Sequence, residues 1–180
     1  MSKLKNIKEW QEISKELVFQ KFSRKIEKVI FKMPNNKESD FYIKKEGPAV
    51  CTLALTKEKK VILVKQFRPG PQEILLELPG GYIDKNEEPK VAAARELKEE
   101  TGYEGKIQFV TRCYDDAYSS MDRYCFVAAD CKKAGKAKLE EDEFAELVLL
   151  NLDEFRDLLR SGKMTDVEVG YLGLDYLKLL

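Results

Sequence analysis

The residues best suited to chemistry are three glutamates. In GGYIDKNEEPKVAAARELKEETGY, residues 80–103, Glu96, Glu99 and Glu100 stand at i, i+3 and i+4. On a helix that spacing puts three carboxylates on one face. Like charges so placed cost about a few tenths of a kcal/mol per pair, so something must offset them. A divalent cation would, because hard ions such as Mg²⁺ prefer carboxylate oxygen. Arg95, four residues before Glu99, can brace it, and Ala93 and Leu97 offer apolar contact beside the acidic face. A solvated acidic helix is the plainer reading of the same charges. Ahead of the helix, Gly80-Gly81 permits a tight turn and close backbone approach. A carbonyl there could supply a further oxygen to an ion.

Composition narrows the choices. The chain has 180 residues and no histidine, which excludes Ser-His-Asp or Cys-His catalysis and His-ligated zinc. Lys plus Arg and Asp plus Glu are both 32, so bulk charge does not indicate DNA binding. The charge is uneven: residues 1–48 carry 12 basic against 7 acidic side chains, and residues 72–104 carry 4 against 9. The acidic stretch is where chemistry is expected. Cys51, Cys113, Cys125 and Cys131 form no C-x-x-C pair, which predicts free thiols in a reduced, cytoplasmic protein. No apolar h-region follows the N-terminus, and no run approaches the ~18 apolar residues of a membrane span.

The positioning elements are legible in outline. Short mixed runs at Leu17–Gln20, Ile26–Met33 and Phe41–Lys45 predict strands, with a turn at Asn35-Asn36. Val50–Leu55 and Val61–Phe67 are stronger, joined by the polar turn 56–60, and Ile74–Leu78 runs into Pro79-Gly80-Gly81. Pro89 and Gly102 bound a helix over 89–101. Strands are expected at Ile107–Tyr114, Tyr124–Ala129 and Phe144–Leu150, then helices near Leu152–Arg160 and Val167–Leu179, separated by Gly162. Strands that do not alternate regularly with helices argue for a layered α+β domain and against a doubly wound parallel sheet. Alternation next to Arg68 favours Phe67 as a core residue. Trp10 is compatible with a subunit contact or a surface anchor.

The segment Gly81, Glu87, Arg95-Glu96-Leu97, Glu99-Glu100 and Gly102-Tyr103 resembles the Nudix hydrolase box, G-x(5)-E-x(7)-R-E-U-x-E-E-x-G-U, with U a bulky apolar residue. All nine defined positions are filled, Tyr103 being an aromatic in the last U place. QFRPG, ELPGG, DEFAELVLLNLDEF and LLRSGKMTDVEVGYLGLDYL resemble the ADP-ribose pyrophosphatase and nucleotide-sugar hydrolase branch, covering about residues 47–178.

The resemblance implies an α/β/α sandwich with a central mixed sheet over 47–180, preceded by an N-terminal strand-rich segment, 1–46, that serves dimerisation. It implies Mg²⁺ or Mn²⁺ held by Glu96, Glu99, Glu100 and the Gly80 carbonyl, with Glu87 and Arg95 as a bracing pair. It implies hydrolysis of a nucleoside diphosphate sugar, with a base on the late acidic loop 139–143. Glu143 is favoured there, Glu140 and Glu141 stand close behind, and Glu99 is a further catalytic carboxylate. Arg68 is the expected phosphate contact, and Tyr118, Ser119 and Ser120 fall on the loop that shapes the substrate pocket. The chain departs from the branch in having no proline after Pro89, where an SPG-like turn is usual; its loop reads AYSSMDRY. A hydrolase of nucleoside triphosphates or dinucleoside polyphosphates, and a non-catalytic nucleotide sensor, are the alternative readings.

Overall fold

The computed structural model describes residues 7–138 and 144–180. They fall into two compact units.

The first unit comprises the chain up to Gly47 together with 114–121. Strands β1 (Gln11–Lys21), β2 (Arg24–Lys32) and β3 (Glu38–Lys44) form an antiparallel sheet in that order. The β2–β3 hairpin turns where two asparagines predict it. Asn36 takes a left-handed φ of 64°, and the Met33 N–H donates to the Lys37 carbonyl at 2.8 Å. Strand β1 is longer than its sequence signal because every residue in it is exposed, so no apolar face marks its extent. Trp10 joins Phe31 and Phe41 in an aromatic cluster, its ring centroid 6.2 and 5.3 Å from theirs.

Residues 114–121 are bound to β3. The Lys44 N–H donates to the Tyr118 carbonyl at 2.8 Å, and the Ser120 N–H to the Lys44 carbonyl at 2.9 Å. Lys44 Nζ also pairs with Asp115 at 2.8 Å and Asp116 at 2.6 Å, which raises its pKa to about 12. The sequence expectation divides the chain at residue 46; the hydrogen bonds of Lys44 to Tyr118 and Ser120, within the one chain, group 114–121 with β3.

The second unit is a seven-stranded mixed sheet between helices. Its strands are β4 (Ala49–Thr56), β5 (Val61–Arg68), β6 (Glu73–Glu77), β7 (Gly80–Tyr82), β8 (Tyr103–Tyr114), β9 (Asp122–Lys133) and β10 (Ala145–Leu150). The path is β10-β5-β4-β9-β8, with β6 on β5 and β7 on β4. β4 and β9 run parallel, and β4 pairs antiparallel with β5 and β7.

Side chains of β4 alternate between two cores. Cys51, Leu53 and Leu55 pack with Phe155, Leu159, Val169 and Leu174 of helices α2 (Leu152–Ser161) and α3 (Val167–Tyr176). Val50 and Ala54 pack with Ala92, Ala93 and Leu97 of α1 (Pro89–Thr101). Helices thus cover both faces of the sheet, the layered α+β arrangement expected from the order of elements.

Helix ends follow local rules. Helix α1 has Pro at its first turn and ends on Gly102, φ 73°, whose N–H donates to the Lys98 carbonyl at 2.8 Å. Helix α2 opens with a reciprocal capping box between Asn151 and Glu154.

Candidate active site

The site grows from the junction of β7 and α1. Gly80 and Gly81 pair with Cys51 and Val50 of β4. A Cβ on Gly80 would lie 2.2 Å from the Val50 carbonyl oxygen, and one on Gly81 would lie 2.5 Å from Glu96 Oε1. Both positions exclude a side chain. The first is closed by backbone and the second by a carboxylate packed against β7, so the two glycines extend a strand where the sequence suggested a tight turn.

The loop after β7 folds on itself through Glu87, whose N–H donates to the Asp84 carbonyl and whose Oε2 accepts from the Asp84 N–H, both at 3.0 Å. Arg95 then ties loop to helix. Its Nε and Nη2 donate to the two oxygens of Glu87 at 2.9 Å, a bidentate pair. Nη2 also reaches the Tyr82 carbonyl at 3.1 Å. Nη1 donates to Glu96 at 2.8 Å and to Glu99 at 3.1 Å. Glu100 turns the other way and accepts from the Gly80 N–H at 2.9 Å.

This arrangement answers the charge problem posed by the three glutamates. Arg95 contacts two of them and the Gly80 amide binds the third. The Arg95 guanidinium is held more firmly protonated by Glu87 first and by Glu96 and Glu99, and it keeps the Glu87 carboxyl below its ordinary range.

The expected ligands are therefore gathered on one turn of helix and one strand end. They do not converge as they stand: among the described residues no three His, Cys, Asp or Glu side chains are close enough to hold an ion. The donor set nonetheless suits a hard divalent cation. It offers carboxylates and a carbonyl without thiolate or imidazole, and Gly81 of β7 lets Glu96 lie against the backbone.

Two sequence expectations need revision at β5. Phe67 is 57% exposed and is not a core residue. Alternation holds, but with the opposite sense: beyond Val64, Gln66 and Arg68 turn inward and Lys65 and Phe67 outward. The inward pair has a reason that the local pattern does not contain. Glu77 is only 2% exposed, and it accepts from Gln66 Nε2 at 2.9 Å and from Arg68 Nε at 2.8 Å. The Arg68 guanidinium thus pairs with a buried carboxylate while its own side chain stays 43% exposed. A buried carboxylate needs such partners, and Glu77 was not singled out from sequence because nothing local marks it as buried.

Tyr118 is 54% exposed on the loop bound to β3, and Ser119 Oγ accepts from the Met121 N–H at 3.2 Å. Glu140, Glu141 and Glu143 lie outside the described residues. Asp166, Arg123 and Glu168 form an ionic group that sequence reasoning passed over: Arg123 Nη1 lies 3.8 Å from Asp166 and also pairs with Glu168.

Residues 45–168 match the NUDIX domain. The chain belongs to the Nudix family. An ADP-ribose pyrophosphatase of Bacillus subtilis (strain 168) is 37% identical over 150 residues, 82% of this Nudix chain and 80% of the relative. A methanol dehydrogenase activator of Bacillus methanolicus is 34% identical over 153 residues, with the same shares covered. The crystal structure of an ADP compounds hydrolase superposes with a TM-score of 0.79 over 96% of both chains at 22% identity, a likeness of fold. No helix among the described residues of this Nudix protein is long and apolar enough to cross a membrane.

Proposed function

We propose that this Nudix chain hydrolyses the diphosphate of ADP-ribose or a related nucleoside diphosphate sugar. The products are a nucleoside monophosphate and a sugar phosphate. The observation that carries the reading is the Arg95-braced group of carboxylates against the Gly80-Gly81 end of β7, in a chain 37% identical to an ADP-ribose pyrophosphatase. Glu96, Glu99, Glu100 and the Gly80 carbonyl hold Mg²⁺ or Mn²⁺. When bound, the cation supplies positive charge against the diphosphate oxygens and favours attack by water.

The protein's own residues do the rest. Arg95 and Glu87 keep the loop closed on the helix. A carboxylate removes the proton of the attacking water, whose oxygen bonds to one phosphorus as the bridging oxygen departs with the other. Glu143 is assigned that role. Glu143→Gln should slow turnover about 100-fold or more with cation affinity retained; a greater loss in Glu140→Gln, Glu141→Gln or Glu99→Gln would transfer the role to that residue. Arg68, Tyr118, Ser119 and Ser120 contact substrate.

The test of function is a panel of ADP-ribose, UDP-glucose, GDP-mannose, NADH and dATP with Mg²⁺ and product identification. AMP and ribose 5-phosphate from ADP-ribose are expected. Turnover of dATP alone, or of nothing, would overturn the proposal.

The protein acts as a cytoplasmic homodimer in this reading, the location being supported by four unpaired cysteines among the described residues. The dimer is supported by β1, which bears exposed Ile13, Leu17, Val18 and Phe19 along a sheet edge. Light scattering should give twice the 20.8 kDa chain mass, and a monomer at working concentration would remove the dimer.

A further inference from the structure

The segment Glu77–Gly80 is bound at each residue from a different part of the second unit. Glu77 is held by Arg68 and Gln66 of β5. The Pro79 carbonyl accepts from the Thr52 N–H of β4 at 2.9 Å, and the Gly80 N–H donates to Glu100 of α1 at 2.9 Å. The remaining residue, Leu78, falls between β6 and β7. Its N–H donates to Asp166 Oδ2 at 3.3 Å, a contact that spans 88 residues.

Asp166 occupies the N-cap of α3, where an aspartate ordinarily accepts from the helix's own first-turn amides, worth about 1 kcal/mol. Here it makes no such cap bond, whereas Asn151 at the start of α2 does. The Asp166 side chain is only 13% exposed. Burial, together with Glu77 and Glu168, pushes its pKa up to about 6 against the opposing effect of Arg123. The residue thus forgoes a local bond and bears the cost of burial to reach a strand junction far away in sequence. Such a local rule broken without local gain marks a functional constraint. The Thr165 hydroxyl, 3.2 Å from Oδ2, and Arg123 complete its surroundings.

We infer that Asp166, backed by Arg123, is a positioning residue that holds Leu78 so that the Gly80 carbonyl faces the cation. The inference rests on the assignment of that carbonyl as a ligand. Partners behind a ligand typically set metal affinity within a range of about 10–100-fold.

The test is Mn²⁺ titration of the purified full chain, with free ion read by electron paramagnetic resonance, beside thermal melting. Asp166→Ala should weaken Mn²⁺ binding about tenfold. Asp166→Asn, whose amide oxygen can still accept from Leu78, should stay within about threefold of the unaltered protein. Affinity unchanged in the alanine variant, or asparagine no better than alanine, overturns the role. If Asp166→Ala does not fold, Asp166→Glu decides. It keeps the charge beside Arg123 but displaces the acceptor by one methylene, and it should weaken Mn²⁺ at least about threefold; unchanged affinity overturns the role. Glu100→Gln in the same titration separates the two levels. No Mn²⁺ uptake by the unaltered protein removes the cation site and this inference together. Uptake that is lost in Glu100→Gln but kept in both Asp166→Ala and Asp166→Glu removes the positioning role alone.

Discussion

Glu100→Gln should lower turnover by about 100-fold or more without harming the fold, since a metal-dependent step loses a charged ligand. The structure explains why the two effects part. Glu100 Oε2 accepts from the Gly80 N–H at 2.9 Å, and the glutamine amide oxygen can accept the same bond. The strand end therefore stays in place. What is lost is one negative charge from a helix face that carries three carboxylates at i, i+3 and i+4. Relief of that repulsion leaves the metal-free protein as stable, or more stable by about a few tenths of a kcal/mol. Activity and metal-free melting temperature should thus move in opposite directions or one alone should move. A variant that hydrolyses ADP-ribose at the unaltered rate would show that Glu100 holds no ion.

The two glycines of β7 should fail in different ways. In Gly81→Ala the new methyl meets the end of the Glu96 side chain, 2.5 Å from Oε1 and 2.7 Å from Cδ. Glu96 can rotate away, so the fold loses little, but its carboxylate leaves β7 and its contact with Arg95. A displacement of about 1 Å at a reacting centre can cost about 100-fold, and that loss is expected with a melting temperature close to the original. In Gly80→Ala the methyl meets backbone, 2.2 Å from the Val50 oxygen and 2.9 Å from the Cys51 Cα. Strand β7 must then part from β4, at a cost of about 1–3 kcal/mol or more. Chemical denaturation and kcat on both variants check the contrast. If Gly81→Ala keeps full activity, Glu96 need not lie against β7.

Much of the candidate site was legible because its parts are close in sequence. Helix α1 runs from Pro89 to Thr101 as the proline and Gly102 predict. Arg95 contacts Glu99 one turn away, as the i, i+4 spacing allows. The N-terminal sheet was legible only where residues alternate between faces. Strand β1 is exposed throughout, and it was seen at four of its eleven residues. Phe67 was misassigned because alternation says that neighbours face opposite ways but not which way is inward. The buried Glu77 decides that, and it sits on another strand.

The sequence by itself determined the order of elements apart from β7, the limits of the central helix and the register of its three carboxylates, since each depends on residues within a few positions. The tertiary structure alone decided that Arg95 is shared among Glu87, Glu96 and Glu99, that Arg68 serves Glu77, and that Asp166 reaches Leu78 instead of capping its own helix. It also decided that residues 114–121 belong with β3. The reason is physical: a side chain's choice among several partners of like chemistry depends on which ones packing brings within about 3 Å, and chain order carries no such distance.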